Sequence, residues 1–141
     1  MKGPWVTERV RWSDVDVMGI VYFGRYVRFM EAAEAEFFRA LGFSYGHLSD
    51  ELGVWLARVR LEVDYRAPAR LDDEVRCRAE LQKTGGSSLT FAFPMDRDGT
   101  RLADGVLVLA CLDRETLRPV RVPGRLRDAL ASIAQDSDRT S

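Results

Sequence analysis

The sequence predicts an α+β fold in which one long helix lies across an antiparallel sheet. Three features predict it. From Tyr22 to Leu41 the apolar residues Tyr22, Phe23, Tyr26, Val27, Phe29, Met30, Ala33, Phe37, Phe38 and Leu41 recur at the spacing of a helix with one wide buried face. Stretches at 55–65, 74–82 and 87–95 alternate apolar and polar residues, the period of two of a half-buried strand. Turn-forming residues at Pro68, Asp72-Asp73, Gly85-Gly86 and Asp98-Gly99 punctuate them. One long helix with four or five antiparallel strands buries its apolar stripe by lying on one sheet face.

Residues 1–4 are a short lead. In Trp5 to Trp12, Trp5, Thr7, Arg9 and Arg11 alternate with Val6, Glu8, Val10 and Trp12, a first strand. Gly42 follows the last apolar residue of the helical stripe and suits the left-handed position that closes a helix. Phe43 to Gly53 is a connection, with a helical turn expected around His47 to Leu52. In the next strand Ala57, Val59, Leu61, Val63 and Tyr65 share one side, and Arg58, Arg60, Glu62, Asp64 and Arg66 make a wet face. After the bend at Pro68 and Asp72-Asp73, Glu74 to Gln82 turns Val75, Cys77, Ala79 and Leu81 inward, and Gly85-Gly86 closes a hairpin. Ser87 to Met95 turns Leu89, Phe91, Phe93 and Met95 inward, before a turn at Asp96 to Gly99. Leu102 to Leu112 is nearly all apolar, as in a strand covered on both faces; β-branched residues favour that over a buried helix. Thr116 to Pro123 is irregular, a short helix is expected at 125–134, and 135–141, without apolar residues, is expected as a disordered tail. Residues 1–134 are the length of one domain.

With 21 basic and 22 acidic residues the chain has no global attraction for polyanions, which disfavours nucleic acid as a partner. No apolar run approaches the roughly 20 residues of a membrane span, and no basic segment leads into an apolar one at the N-terminus, so a cytoplasmic location is expected. Cys77 and Cys111 sit in strand patterns without metal-ligand spacing and read as buried, reduced thiols. The excess of arginine over lysine and the absence of asparagine fit either a GC-rich genome or a hot habitat.

Chemistry concentrates where the strand period gives way to the helix period, in Ser13 to Tyr26. Asp14 and Asp16 flank this turn, and Gly19 allows it a backbone angle other residues resist. A carboxylate is thereby delivered near a helix N-terminus, whose unpaired N–H groups and dipole can hold a developing oxyanion. That is a hydrolytic arrangement. The alternative is that Asp14 or Asp16 merely caps the helix or shapes the turn.

The run Asp14-Val15-Asp16-Val17-Met18-Gly19-Ile20-Val21-Tyr22, followed by Tyr26, Glu31 and Ala33, resembles the signature of hotdog-fold acyl-CoA thioesterases, in the 4-hydroxybenzoyl-CoA thioesterase family and its Tol-Pal-associated bacterial branch. Val63 to Asp73 is similar to the segment where those enzymes leave one strand and turn into the next, and Thr84 to Phe91 resembles their hairpin. The likeness covers roughly residues 5 to 125. It implies a hotdog fold, hydrolysis of an acyl-CoA without metal or redox cofactor, coenzyme A entering only as part of the substrate, and a homodimer or homotetramer with active sites between subunits. Asp16 matches the catalytic aspartate, as nucleophile or as general base. The N–H of Phe23 or of Gly24 would polarise the thioester carbonyl. Tyr22 and Tyr26 match recurring aromatic positions, for substrate contact or for packing. At Phe23 many bacterial relatives carry histidine and the aromatic-substrate enzyme tyrosine, so no histidine role transfers.

Trp55, with Phe23 and Tyr22, is a candidate for the acyl pocket. Arg58, Arg60, Lys83 and Arg97 are candidate partners for the phosphates of CoA, although the basic hairpin cluster of the aromatic-substrate enzyme is reduced here to Lys83. His47, the only histidine, reads as a solvated loop residue. Glu31 is expected to hydrogen-bond within the fold and Glu34 to face solvent. Ser87 and Ser88 lack a nucleophile-elbow pattern, which argues against a serine hydrolase. A non-catalytic acyl-thioester binding protein would use the same groove without needing Asp16.

Overall fold

The computed structural model describes the backbone of residues 1–140 and the side chains of residues 1–132. Strand β1 (Val6–Arg9) leads through a 3-10 turn (Trp12–Asp14), a narrow loop and a second 3-10 turn (Phe23–Arg25) into helix α1 (Tyr26–Ala40). Helix α2 (Tyr45–Asp50) and strands β2 (Val54–Tyr65), β3 (Glu74–Cys77), β4 (Glu80–Thr84), β5 (Ser88–Arg97) and β6 (Thr100–Asp113) follow, then helix α3 (Gly124–Thr140). The six strands form one antiparallel sheet in the order β1-β3-β5-β6-β2, with β4 also paired to β5. With α1 packed on one face, this is the expected α+β hotdog arrangement.

Helix α1 is built from good helix formers, and its apolar stripe decides which way it faces. Tyr26, Phe29, Met30, Ala33, Phe37 and Phe38 are buried against Leu89, Phe91, Phe93 and Met95, the four inward residues of β5. The Phe37 ring meets Phe91 edge-on at 4.9 Å. Burial of each such phenylalanine is worth about 1.5–3 kcal/mol, so the helix–sheet contact contributes substantially to the domain's stability. Gly105 of β6 permits a close approach: a Cβ there would stand 2.8 Å from Cε of Met30. Gly42 closes the helix at φ +89°, its N–H donating to Arg39 O at 2.9 Å.

Several expectations are corrected. The first strand ends at Arg9, because Trp12–Asp14 turns to meet the N-terminal end of α1. Helix α1 begins at Tyr26 and not at Tyr22; Gly24, a poor helix former, lies in the 3-10 turn before it. As a result Tyr22 and Phe23 are exposed rather than part of the buried stripe. Strand β2 has no dry face in this chain: it is the sheet edge, it carries a bulge between Arg58 and Arg60, and Val59, Leu61 and Tyr65 are all exposed. Strand β6 has one buried face and one half-buried face instead of two covered ones. Glu31 and Glu34 exchange roles, since Glu34 lies on the buried side of α1 and Glu31 outside. The terminal helix is described to Thr140, past the expected end at residue 134, while Ser141, the last residue of the expected tail, lies outside the described residues.

Candidate active site

The loop from Asp14 to Tyr22 is held as a narrow double-back. Tyr22 N–H donates to Asp14 O at 2.8 Å, Asp16 N–H to Ile20 O at 3.0 Å, and Gly19, at φ +76°, donates to Asp16 O at 3.0 Å. Val21 N–H donates to Ala69 O at 2.9 Å, which fastens the loop to the segment after β2.

Within this frame the two aspartates meet opposite surroundings. Asp14 is 1% exposed. It accepts from Arg11 N–H at 2.7 Å and from Nε and Nη2 of Arg28 at 3.2 and 2.7 Å, while Arg28 also reaches Glu8 at 3.0 Å. Burial pushes its pKa up, but the bonds from Arg28 and Arg11 outweigh that and hold the carboxyl below its ordinary value. Asp14 therefore ties the loop to α1. Asp16 is half-buried, accepts from Met18 N–H at 2.8 Å through Oδ1, and makes no other side-chain hydrogen bond among the described residues. Neither aspartate caps α1, whose first turn follows Arg25 without a side-chain cap.

Asp16, Phe23, Tyr26, Tyr65 and Pro68 wall one cavity of about 330 Å³. The peptides on both sides of Phe23 are fixed. Tyr22 O accepts from Arg25 N–H at 2.8 Å, and Phe23 O accepts from the Tyr65 hydroxyl at 2.7 Å. In trans peptides the N–H points opposite to the C=O, so these two bonds also orient the N–H groups of Phe23 and Gly24. Among the described residues neither N–H donates to a backbone acceptor. Tyr65 is a site residue that the motifs do not mark; its signal in the sequence is its position as the last aromatic residue before the Pro68 bend.

Tyr26 is buried, meets Tyr65 and Phe29 edge-on at 5.1 and 6.0 Å, and accepts from Ala69 N–H at 3.4 Å. It packs the start of the helix while its edge faces the cavity. Tyr22 lies outside that cavity, its ring 4.5 Å from Phe23. Trp55 and Lys83 are not gathered here by one chain. Trp55 pairs with Leu112, at the end of β2 remote from Tyr65, and Lys83 pairs with Thr90, seven residues along β5 from Arg97, which donates to Pro68 O. That separation is about 23 Å.

The other three candidate cations are engaged. Arg58 bonds the buried Glu34 at 2.7 Å, Arg97 bonds Asp73 at 2.8 Å, and Arg60 pairs with Glu62. Lys83 is exposed and has no ion-pair partner among the described residues. His47 is on α2 with its side chain 53% exposed and stands away from the Asp16 cavity. Both cysteines are buried free thiols, and burial raises the pKa of each. Among the described residues no helix is long and apolar enough to cross a membrane, and no group of His, Cys, Asp and Glu is placed to hold a metal.

A family model described as the thioesterase-like superfamily matches residues 10–130. The chain belongs to this superfamily. The thioesterase-like chain is 31% identical over 121 residues to the acyl-CoA thioesterase YbgC of Haemophilus influenzae, covering 86% of this chain and 89% of that one. It is 34% identical over 116 residues to the acyl-CoA thioester hydrolase YbgC of Escherichia coli O6:H1, covering 82% and 86%. The crystal structure of protein TT1821 from Thermus thermophilus superposes with a TM-score of 0.84 at 31% identity, covering 91% of this chain and 97% of that one. The expected fold and the expected enzyme class, a thioesterase and hence a hydrolase, are borne out at the level of the superfamily.

Proposed function

We propose that the protein hydrolyses an acyl-CoA thioester to a carboxylic acid and CoA with Asp16 as the reacting carboxylate. The observation that carries this reading is the shared cavity, which brings an accessible carboxylate and Phe23, the first residue of the 3-10 turn before α1, to one largely apolar pocket. A thioester carbonyl seated against the N–H groups of Phe23 and Gly24 is polarised for attack. As nucleophile, Asp16 forms a mixed anhydride and expels the CoA thiolate, and water then cleaves the anhydride. As general base, it takes a proton from water, whose oxygen adds to the carbonyl before the C–S bond breaks. Both routes give the same products and need no metal or redox group. Tyr65 holds the Phe23–Gly24 peptide in register throughout.

The edge position and exposed apolar side chains of β2 support a homodimer joined along this strand, with a tetramer built from two such pairs. Antiparallel pairing of two β2 edges sets the Trp55 end of one strand beside the Tyr65 end of the other, which supports a site completed by the partner's Trp55. Of the four candidate cations, Lys83 is the one without an ion-pair partner among the described residues, and it is the one we assign to the CoA phosphates. The similarity to the YbgC enzymes supports the acyl-CoA substrate. The finer placement in the 4-hydroxybenzoyl-CoA branch with its Tol-Pal-associated members follows the loop signature, and a cytoplasmic location fits described residues among which no helix is long and apolar enough to cross a membrane.

Thiol release from a panel of acyl-CoAs tests the reading. Medium-chain or aromatic acyl-CoAs should be cleaved faster than acetyl-CoA, because Phe23, Tyr26 and Tyr65 offer an apolar wall that an acetyl group cannot fill. Acetyl-CoA turned over best would contradict the selectivity, and tight binding without any release would mark a binding protein instead.

A further inference from the structure

Glu34 is a buried ionisable group that the proposed chemistry does not use. Its side chain is 1% exposed; Oε2 accepts from Nη2 of Arg58 at 2.7 Å, and Oε1 is buried with no hydrogen-bond partner among the described residues. Tyr45 approaches the same pair from α2. An ion pair at such a place is no better for stability than apolar side chains of equal volume, and an orphaned carboxylate oxygen is worse.

The pair stands at one end of a seam. The Asp16 cavity has Phe23 and Tyr26 of α1 on one wall and Tyr65 of β2 on another. Farther along the same two elements lies a second, smaller cavity of about 90 Å³, between Val27, Met30 and Glu34 of α1, Arg58 and Leu61 of β2 and Leu107 of β6, with the exposed Glu31 also on its wall. An acyl chain with its thioester at Asp16 finds its apolar wall along this seam, past Val27, Met30 and Leu61. From Tyr26 to Glu34 the helix rises about 12 Å. An extended chain advances about 1.2 Å per bond, so the seam takes about ten bonds before a methyl end meets the ion pair.

We propose that the Glu34–Arg58 pair is the polar end-stop of the acyl seam, which limits the substrate to acyl groups of about medium length. The proposal rests on the thioesterase reading. A longer tail must strip water and partners from the two charges, which costs binding, while methylenes that stay in solvent add none of the roughly fourfold that each buried one contributes. The pair is thus a specificity determinant that does not touch the reacting atoms.

The test is kcat/KM for saturated acyl-CoAs from butyryl to palmitoyl, in the full chain and in a Glu34→Leu/Arg58→Leu double variant. The unaltered protein should fall at least about tenfold between decanoyl and palmitoyl, and the double variant should narrow that gap by about tenfold. If the double variant does not fold, Glu34→Gln removes the charge at constant size and should narrow the gap about threefold. A palmitoyl-CoA rate equal to the decanoyl rate in the unaltered protein overturns the end-stop alone, as does an unchanged profile in a folded variant. Absence of thiol release at every length overturns the thioesterase reading, and the end-stop with it.

Discussion

Asp14 and Asp16 are two positions apart, yet their surroundings assign them different work. Asp14 is enclosed by Arg28 and the Arg11 N–H, so Asp14→Asn should lower stability by about 1.5–3 kcal/mol in urea unfolding, with little loss of turnover per folded molecule. Its carboxyl is held below the ordinary value of 3.8, so its contribution is fully present above that pH and is lost as pH falls through the lower folded value. The melting temperature of the unaltered protein should therefore drop more steeply in that acid range than that of Asp14→Asn. Tyr65→Phe keeps the ring against Tyr26 but frees the Phe23–Gly24 peptide, and should reduce kcat about tenfold with KM nearly unchanged. An equal rise in KM would mean that the hydroxyl binds substrate instead. At this scale the sequence pointed to an acid at the turn, but Asp-x-Asp spacing alone does not say which carboxylate meets a guanidinium fourteen residues onward. Glu34 shows the same gap: helical spacing places it next to the apolar stripe, and only its partner on β2 explains why it is buried.

At the scale of elements, periodicity was informative wherever a face is simply wet or dry. Strand β5 alternates cleanly, and its four inward residues are fully buried as expected. Periodicity misled where an element's neighbour decides. The aromatic pair Tyr22-Phe23 extends the helical stripe in sequence, but Gly24 delays the helix and leaves both rings facing outward. The alternation of β2 predicts a core face, yet the strand is an edge and its bulge interrupts the alternation. Helix α1 approaches the sheet closely at Gly105, so Gly105→Val should displace Met30 and cost about 1–3 kcal/mol in the same unfolding assay. A neutral outcome would mean that the helix can lift from β6 without loss.

For the whole molecule, the exposed length of β2 predicts association. Light scattering should find a dimer or a tetramer, and Val59→Lys, which puts a charge at a site 60% exposed on that edge, should give monomers with sharply reduced turnover. A fully active monomer would remove the partner from the site. Trp55 and Lys83 were legible as candidates by residue type, but nothing in a linear sequence tells which end of a strand they occupy relative to Asp16. The fold class was legible because helix and strand periods are local, whereas the site joins a loop, a helix start and the end of a strand far apart in sequence. The most direct test of the central claim is turnover of a medium-chain acyl-CoA by Asp16→Asn, with melting temperature and binding of a non-hydrolysable CoA thioether measured on the same preparation. The amide keeps the size of the side chain and its bond from Met18 N–H, so folding and binding should be retained while kcat falls by about 10²–10⁴-fold or more. Undiminished turnover in a folded Asp16→Asn protein would contradict the account.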